Sequence, residues 1–258
     1  MELAITSVAP HAGRTRDILG IAITDMSRAE ARHILHQAMN AGRHLKLAFC
    51  NAHTANVAAT DDAYRELLRR FLILPDGHGV DIASRWLYGR PFSANLNGTD
   101  LVPNLLLSAP RPLRVAMIGG RPGIAERAAL AFLARDDRHW IGPVLHGYAS
   151  VEEQADWLTS LEHNPVDIVL VAMGNPRQEM WIAENLGPRH CALAIGVGAL
   201  FDFAAGEVRR APTFVRRYRL EWLYRLLQEP QRLFGRYVLG NPLFLLRVAS
   251  ARLGLIRA

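Results

Sequence analysis

Val166-Asp167-Ile168-Val169-Leu170-Val171-Ala172-Met173, followed at once by Gly174-Asn175-Pro176-Arg177-Gln178-Glu179, decides the fold. An apolar, β-branched run of this length, with a turn on its heels, reads as a strand buried on both faces. Proline is favoured at a first helical position, so a helix is expected from Pro176 to Leu186. Strand, short polar turn and helix make one βα unit. Working outward, the same alternation recurs. Further strands are expected at Leu45–Cys50, Phe71–Leu74, Leu113–Ile118, Trp140–Leu145 and Cys191–Val197. Further helices are expected at Ala55–Arg70, Val80–Tyr88, Asp100–Ser108, Gly123–Ala134 and Val151–Glu162. The pattern is that of an α/β fold, a mainly parallel sheet with helices on both faces. Ligands of such sheets sit outside the carboxyl ends of the strands, so the polar turns after the strands are where chemistry is expected.

The alternation stops near Gly206, which divides a core (residues 1–205) from an appendage (206–258). With 258 residues, half of them apolar, one α/β domain and an appendage fit better than two equal domains. The appendage interleaves arginine with aromatic and aliphatic residues: Arg209-Arg210-Ala211-Pro212, Arg216-Arg217, Glu221-Trp222-Leu223-Tyr224-Arg225, Glu229-Pro230-Gln231-Arg232 and Arg236. From Gly206 onward eleven arginines face three acids, a charge of +8, which leaves −2 on the rest of a chain whose net charge is +6. A near-neutral body with a basic tail points to an anionic partner: phosphate, lipid headgroups or nucleic acid. Lys46 is the only lysine, so the arginine excess is largely compositional, but its clustering is not.

Met1 to Arg16 holds no apolar run of signal-peptide length, and no stretch approaches the roughly 20 apolar residues that span a bilayer. Pro242 to Ile256 is broken by Arg247 and Arg252, with Leu243, Leu246, Ala249 and Leu253 along one side, an interfacial pattern. Cys50 and Cys191 form neither a disulfide framework nor a zinc pattern. The chain reads as cytoplasmic and peripheral to a membrane.

Five turns are candidates for chemistry. Asp76, in Pro75-Asp76-Gly77-His78-Gly79, either caps the next helix or serves as a partly desolvated general base, and the stretch Asp76 to Gly79 alone favours the cap. In Asn95-Leu96-Asn97-Gly98-Thr99-Asp100, Thr99 or Asp100 fits a helix N-cap, and the alternative is a polar shelf for a sugar. Gly119-Gly120-Arg121-Pro122-Gly123 offers backbone N–H groups to a phosphate or ribose, but matches neither the dinucleotide fingerprint nor the P-loop. Asn175, Gln178 and Glu179 fit reading of a uracil edge or ribose hydroxyls, while Glu179 also fits mere complementing of the helix dipole, the two readings about even. Gly196-Val197-Gly198 allows close backbone approach, and Asp202 suits either a sugar contact or a partner for a tail arginine. No Asp-x-Asp motif, metalloprotease helix or nucleophile elbow occurs. A nucleotide-sugar transferase without a metal site must neutralise the departing diphosphate with arginine, whose fork pairs with phosphate oxygens.

Taken in order, these pieces resemble the WecG/TagA/CpsF family, glycosyltransferase family 26. The matching residues are Asn51, Pro75 to Gly79, Asn97 to Leu101, Ile118 to Gly123, Gly147-Tyr148, Ala172 to Glu179, Gly196 to Gly198, Phe201 to Phe203 and Gly206. Arg210-Ala211-Pro212, Glu221 to Arg225 and Glu229 to Arg232 complete the set, which covers about residues 20–236 and most resembles the exopolysaccharide, GumM-like branch. The resemblance implies a Rossmann-like core with an appendage that completes the active site. It implies an inverting, metal-independent transfer of a hexose from a UDP-sugar to an undecaprenyl-diphosphate-linked monosaccharide, at the inner face of the cytoplasmic membrane. No cofactor is implied beyond the UDP-sugar donor, no nucleic acid is involved, and a homo-oligomer is left open. Carried over, Asp76 is the general base, Gln178 and Glu179 face the nucleotide end, and Arg225 and Arg232 meet diphosphate. Asn51, Asn97, Thr99, Asp100, Gly119, Gly120, Asn175, Gly198, Asp202, Arg210 and Arg236 make up the remaining substrate-binding set.

The chain departs from the family pattern at Phe49, where many members have threonine, at Asn95, where many have arginine, and at Gly235, where a later arginine falls and Arg236 stands beside it. These changes favour UDP-glucose as donor over UDP-N-acetylmannosamine or its uronic acid. Two rivals from other classes are a nucleic-acid-binding protein and a non-catalytic scaffold on anionic lipid. Each explains the tail and leaves the polar turns unexplained.

Overall fold

The computed structural model describes residues 15–212, 214–215, 218 and 220–255. Arg216 and Arg217 of the arginine array, and the amino-terminal segment before Thr15, lie outside the described residues. The chain opens with a hairpin, β1 (Thr15–Ile18) and β2 (Ile21–Thr24), then α1 (Arg28–Asn40), β3 (Leu45–Cys50), α2 (Ala52–Ala58), α3 (Asp62–Leu68) and β4 (Leu72–Pro75). It continues through α4 (His78–Tyr88), α5 (Gly98–Leu107), β5 (Arg114–Gly119), α6 (Ile124–Leu133), β6 (Trp140–Leu145), α7 (Val151–His163) and β7 (Val166–Ala172). Then come α8 (Arg177–Asn185), β8 (Cys191–Gly196), α9 (Leu200–Ala204), α10 (Glu221–Gln228), α11 (Pro230–Phe234), a π-helical turn (Gly235–Leu239) and α12 (Gly240–Arg252).

The expected parallel sheet is present: six strands in the order β4-β3-β8-β7-β5-β6, every pair parallel. β7 lies inside it, Val169 level with Ala194 of β8 and with Ala116 of β5. Its alternate side chains serve two cores. Ile168 and Leu170 pack with α1, α5, α6 and α9, whereas Val169 and Val171 face α2, α3, α4, α7 and α8. Both faces are covered, which is why these strands read as unbroken apolar runs.

Three local differences from expectation have physical causes. The single helix expected over Ala55–Arg70 is two, because the Asp61 carboxylate accepts from the Tyr64 N–H and caps a fresh start. The β1–β2 hairpin was not expected, since its four-residue strands are too short to show period-two alternation. α1 was also missed, although Ser27 and Glu30 form a reciprocal capping box, a signal readable in the sequence.

The appendage returns to the core. Phe244 and Val248 of α12 are fully buried in the core that α2 and α4 share. Leu243, Leu246 and Leu253, on the stripe read as interfacial, are 45%, 66% and 73% exposed.

Candidate active site

A cavity of about 1660 Å³ runs along the carboxyl ends of the sheet strands and is closed on one side by the appendage. At its β4 end stands Asp76, half-buried, its N–H donating to the carbonyl of Cys50 (2.9 Å). Asn51 caps α2: its Oδ1 accepts from the N–H groups of His53 (3.0 Å) and Thr54 (3.2 Å). That fixes the amide so that its Nδ2 donates to Asp76 Oδ2 (3.1 Å), which an ionised aspartate cap, having no donor, could not do. Asn95 Oδ1 accepts from the N–H of Gly77 (3.0 Å) and steadies the same turn. Burial pushes the Asp76 carboxyl above its ordinary range, and the Asn51 hydrogen bond with the charges of Arg236 and Arg225 opposes the shift without cancelling it. A partly desolvated carboxylate of raised basicity suits proton removal.

The helix cap expected at Thr99 or Asp100 falls on neither; Asn97 takes it. Asn97 Oδ1 accepts from the N–H of Asp100 (2.9 Å) and Asn97 Nδ2 donates to Asp100 Oδ2 (2.9 Å), so Asn97, not Thr99, is the cap. Asp100 Oδ1 then accepts from Arg210 Nη2 (2.6 Å), and Arg210 Nε lies 3.6 Å from Glu221 on α10. Burial pushes Asp100 up, but the hydrogen bonds from Asn97 and Arg210 outweigh it and hold the carboxyl below its ordinary range. Asn97 and Thr99 line the cavity; Asp100 and Arg210 stand outside its lining and join α5 to the appendage.

On the far side, Gly120, Gly147 and Gly198 give the cavity a backbone floor. Gly119 lies beneath it at φ 134°, where any Cβ would collide with the carbonyl of Ala172, so only glycine lets β5 and β7 close up here. Gln178 lines the cavity, yet its amide is committed to the protein. Oε1 accepts from the N–H groups of Gly174 (3.2 Å) and Gly198 (3.0 Å), and Nε2 donates to Glu179 Oε1 (2.7 Å). Gly196 leaves the room for that amide, which would lie 2.8 Å from a Cβ there. Glu179 is fully buried beneath the turn instead of facing the cavity, and Asn175 Nδ2 donates to its Oε1 (2.6 Å). Burial pushes Glu179 up to about 7 against hydrogen bonds from Gln178, Tyr64 and Asn175.

The appendage contributes cations. Arg225 stacks 5.1 Å over the Phe203 ring, Arg232 donates to Glu229 Oε1 (2.8 Å), and Arg225 lies 3.8 Å from Glu229 Oε2. Arg236 is the third appendage arginine of the lining, beside Tyr237, and burial lowers its pKa; Arg121 and Arg177 line the cavity from the core. Among the described residues, the Nε groups of Arg225 and Arg236 are buried without a hydrogen-bond partner. Unpaired buried donors on fixed cations are costly unless an anion arrives. Asp202 also lines the cavity, its carboxyl pushed up by burial and by Glu229 against the pull of Arg232.

His53, Tyr148 and Glu229 line the cavity too, and sequence reasoning gave them no role. Burial, with the charge of Arg236, lowers the His53 pKa below its ordinary value. Tyr148 and Glu229 fall in stretches that match the family pattern without a role attached, and His53 meets the others through the tertiary fold.

The family model described as Glycosyl transferase WecG/TagA/CpsF family matches residues 16–258. The chain is similar to the N-acetylglucosaminyldiphosphoundecaprenol N-acetyl-beta-D-mannosaminyltransferase of Bacillus spizizenii, 36% identical over 164 residues, which are 62% of this chain and 62% of that protein. It is likewise similar to the proteins of the same name from Staphylococcus aureus strains MRSA252 and MW2, 30% identical over 210 residues, 81% of the chain and 81% of each relative.

Proposed function

The chain belongs to the WecG/TagA/CpsF glycosyltransferase family, and we propose that it moves a hexose from a UDP-sugar to the sugar of an undecaprenyl-diphosphate-linked acceptor. One observation carries this reading: Asp76 and the arginines Arg225, Arg232 and Arg236 line one cavity, and two of those arginines hold buried Nε donors with no partner among the described residues. A base at one point and an unsatisfied cationic cluster beside it are what displacement of a diphosphate requires.

The donor lies along the sheet edge. Asp76 follows β4 and Gly120 follows β5, four strand steps away. At about 4.8 Å per step that is about 19 Å, a span that a nucleotide sugar can bridge. The nucleotide occupies the glycine floor at Gly120, Gly147 and Gly198, and the hexose reaches Asn97, Thr99 and Asp76. The Asp76 carboxylate takes the proton of an acceptor hydroxyl as that oxygen bonds to the anomeric carbon from the face opposite the diphosphate. The bond from the anomeric carbon to the diphosphate oxygen breaks, its electron pair leaves with UDP, and the configuration inverts. Arg225 and Arg232 hold the new charge, so the residues present can serve the leaving group without a metal.

Two donors are compatible with the family. The relatives' name points to an N-acetylmannosamine donor. UDP-glucose is supported by Phe49, whose ring packs so closely on Gly98 that a Cβ there would lie 2.8 Å from it and which fills space beside Asn97 and Thr99 that a bulkier sugar would need. An exopolysaccharide product goes with the second donor. Peripheral seating at the inner membrane face is supported by the exposed Leu227, Leu239 and Leu246 beside the appendage arginines. No helix among the described residues is long and apolar enough to cross a membrane. Exposed leucines favour a lipid surface over nucleic acid.

The test is UDP release across a panel of UDP-hexoses, with and without an undecaprenyl-diphosphate-linked sugar. Acceptor-dependent turnover of one donor establishes the reaction and identifies the hexose. Absence of turnover with every donor, together with binding to bare liposomes, would leave the scaffold reading instead.

A further inference from the structure

The polar turn that carries Asn175 and Gln178 is anchored from outside the cavity. Tyr64, on α3, is 2% exposed and belongs to the core on the other side of the turn. Its hydroxyl donates to Glu179 Oε2 (3.1 Å), while Glu179 Oε1 accepts from Asn175 Nδ2 (2.6 Å) and Gln178 Nε2 (2.7 Å). Gln178 passes the restraint on, since its Oε1 accepts from the N–H groups of both Gly174 and Gly198. One buried carboxylate thus ties together the turns after β7 and β8. A buried carboxylate with three donors is satisfied only while it is an acceptor at every site; once protonated, one donor must turn away or lose its partner.

We propose that Tyr64 is a positioning residue for the nucleotide subsite, acting through Glu179 to hold Asn175, Gln178 and the glycine turns in the arrangement that binds the uridine diphosphate moiety. The inference rests on the transferase reading. Tyr64 lines no part of the cavity; its hydrogen bond favours the ionised form of Glu179. The titratable groups facing Glu179 are Tyr64 from α3 and Cys50 at the end of β3. Burial holds Glu179 close to neutrality, and the Tyr64 hydrogen bond pulls the other way. The sign follows. The ionised form organises the site, so affinity for UDP falls as pH falls through the Glu179 pKa. Loss of the Tyr64 donor raises that pKa and moves the fall to higher pH.

The experiment is titration of UDP into the full-length protein by calorimetry from pH 5.5 to 9, comparing wild type, Tyr64→Phe and Glu179→Gln, with a thermal melt of each. Tyr64→Phe is expected to weaken UDP binding roughly tenfold near neutral pH, the order expected for a hydrogen bond to a charged group. Its acid-side loss of affinity should begin at higher pH than in wild type. Glu179→Gln should bind weakly and keep only the pH dependence of the UDP phosphate itself, which titrates at about pH 6, and it carries the test if Tyr64→Phe does not fold. A merely structural tyrosine would lower the melting temperature while leaving both UDP affinity and its pH midpoint where they were; that result overturns the inference. A wild type that binds no UDP sinks the transferase reading with it, whereas a wild type that binds and a Tyr64→Phe variant that matches it at every pH sinks this inference alone.

Discussion

The two walls of the cavity are built on opposite terms. On the sheet side, the polar side chains are satisfied by the protein itself: Asn51 by the start of α2, Asn97 by Asp100, Gln178 by Gly174, Gly198 and Glu179. On the appendage side, Arg225 and Arg236 keep Nε donors with no partner among the described residues, and Leu227, Leu239 and Leu246 are exposed. The sheet wall is pre-organised before any ligand arrives. The appendage wall is completed by an anion and by whatever covers its apolar side. Binding geometry and the base therefore sit on the sheet wall, and charge neutralisation sits on a segment joined to the core by Arg210 with Asp100, by Glu207 with Arg121 and Arg127, by Asn56 with Arg247 and the carbonyl of Gly240, and by the buried Phe244 and Val248.

The contrast breaks most sharply at the base. Asp76→Asn is expected to lower kcat about 10²–10⁴-fold while leaving the melting temperature and UDP affinity in place. Its pH profile gives a second reading. With the Asp76 pKa raised by burial, kcat/KM of the wild type should fall as pH falls through that raised value, an acid limb above the ordinary carboxylate range that the variant lacks. Next in size, Arg225→Ala should cost about 10²–10³-fold in kcat, the loss typical of one donor to a developing oxyanion. Phe244→Ala should destabilise the fold by about 3–5 kcal/mol, read from denaturant midpoints, because the ring is fully buried. A smaller loss would mean that α12 is a loosely held strap and not part of the core. The smallest change is at the latch. Arg210→Ala is expected to raise the KM for the lipid-linked acceptor by roughly tenfold with UDP affinity nearly unchanged, since the Arg210 pairs are part-exposed and modest in strength. An equal loss of UDP affinity would erase the distinction between the walls.

Much of the sheet wall is legible in the sequence, and the reasons are local. β3 and β6 coincide with their expected limits, and β7 and β8 stop one residue short, because each is an apolar run too brief for a helix and ends in a polar turn. Once the alternation is read, the carboxyl-end rule brings Asn51, Asp76, Gly120, Asn175 and Gly198 to one edge. What stays illegible depends on partners distant in the chain. Glu179 reads as a residue that faces a ligand, and its burial follows from Tyr64, 115 positions away. Asp202 and the appendage arginines are readable as charges, but which of them reach the cavity depends on how α12 packs on α2 and α4. The turn at Asn97 was open between cap and sugar shelf because both use the same atoms. Its Oδ1 is taken by the cap, and its place in the lining still leaves the residue at the cavity wall.

The most direct test follows a radiolabelled hexose from its UDP-linked donor into the lipid phase, with UDP affinity measured on the same preparations of wild type, Asp76→Asn and Arg225→Ala. The expected result is acceptor-dependent transfer by the wild type, loss of transfer with UDP affinity retained in Asp76→Asn, and loss of both in Arg225→Ala. Transfer by Asp76→Asn at the wild-type rate, or UDP binding indifferent to Arg225, would contradict a catalytic centre divided between the sheet and the appendage.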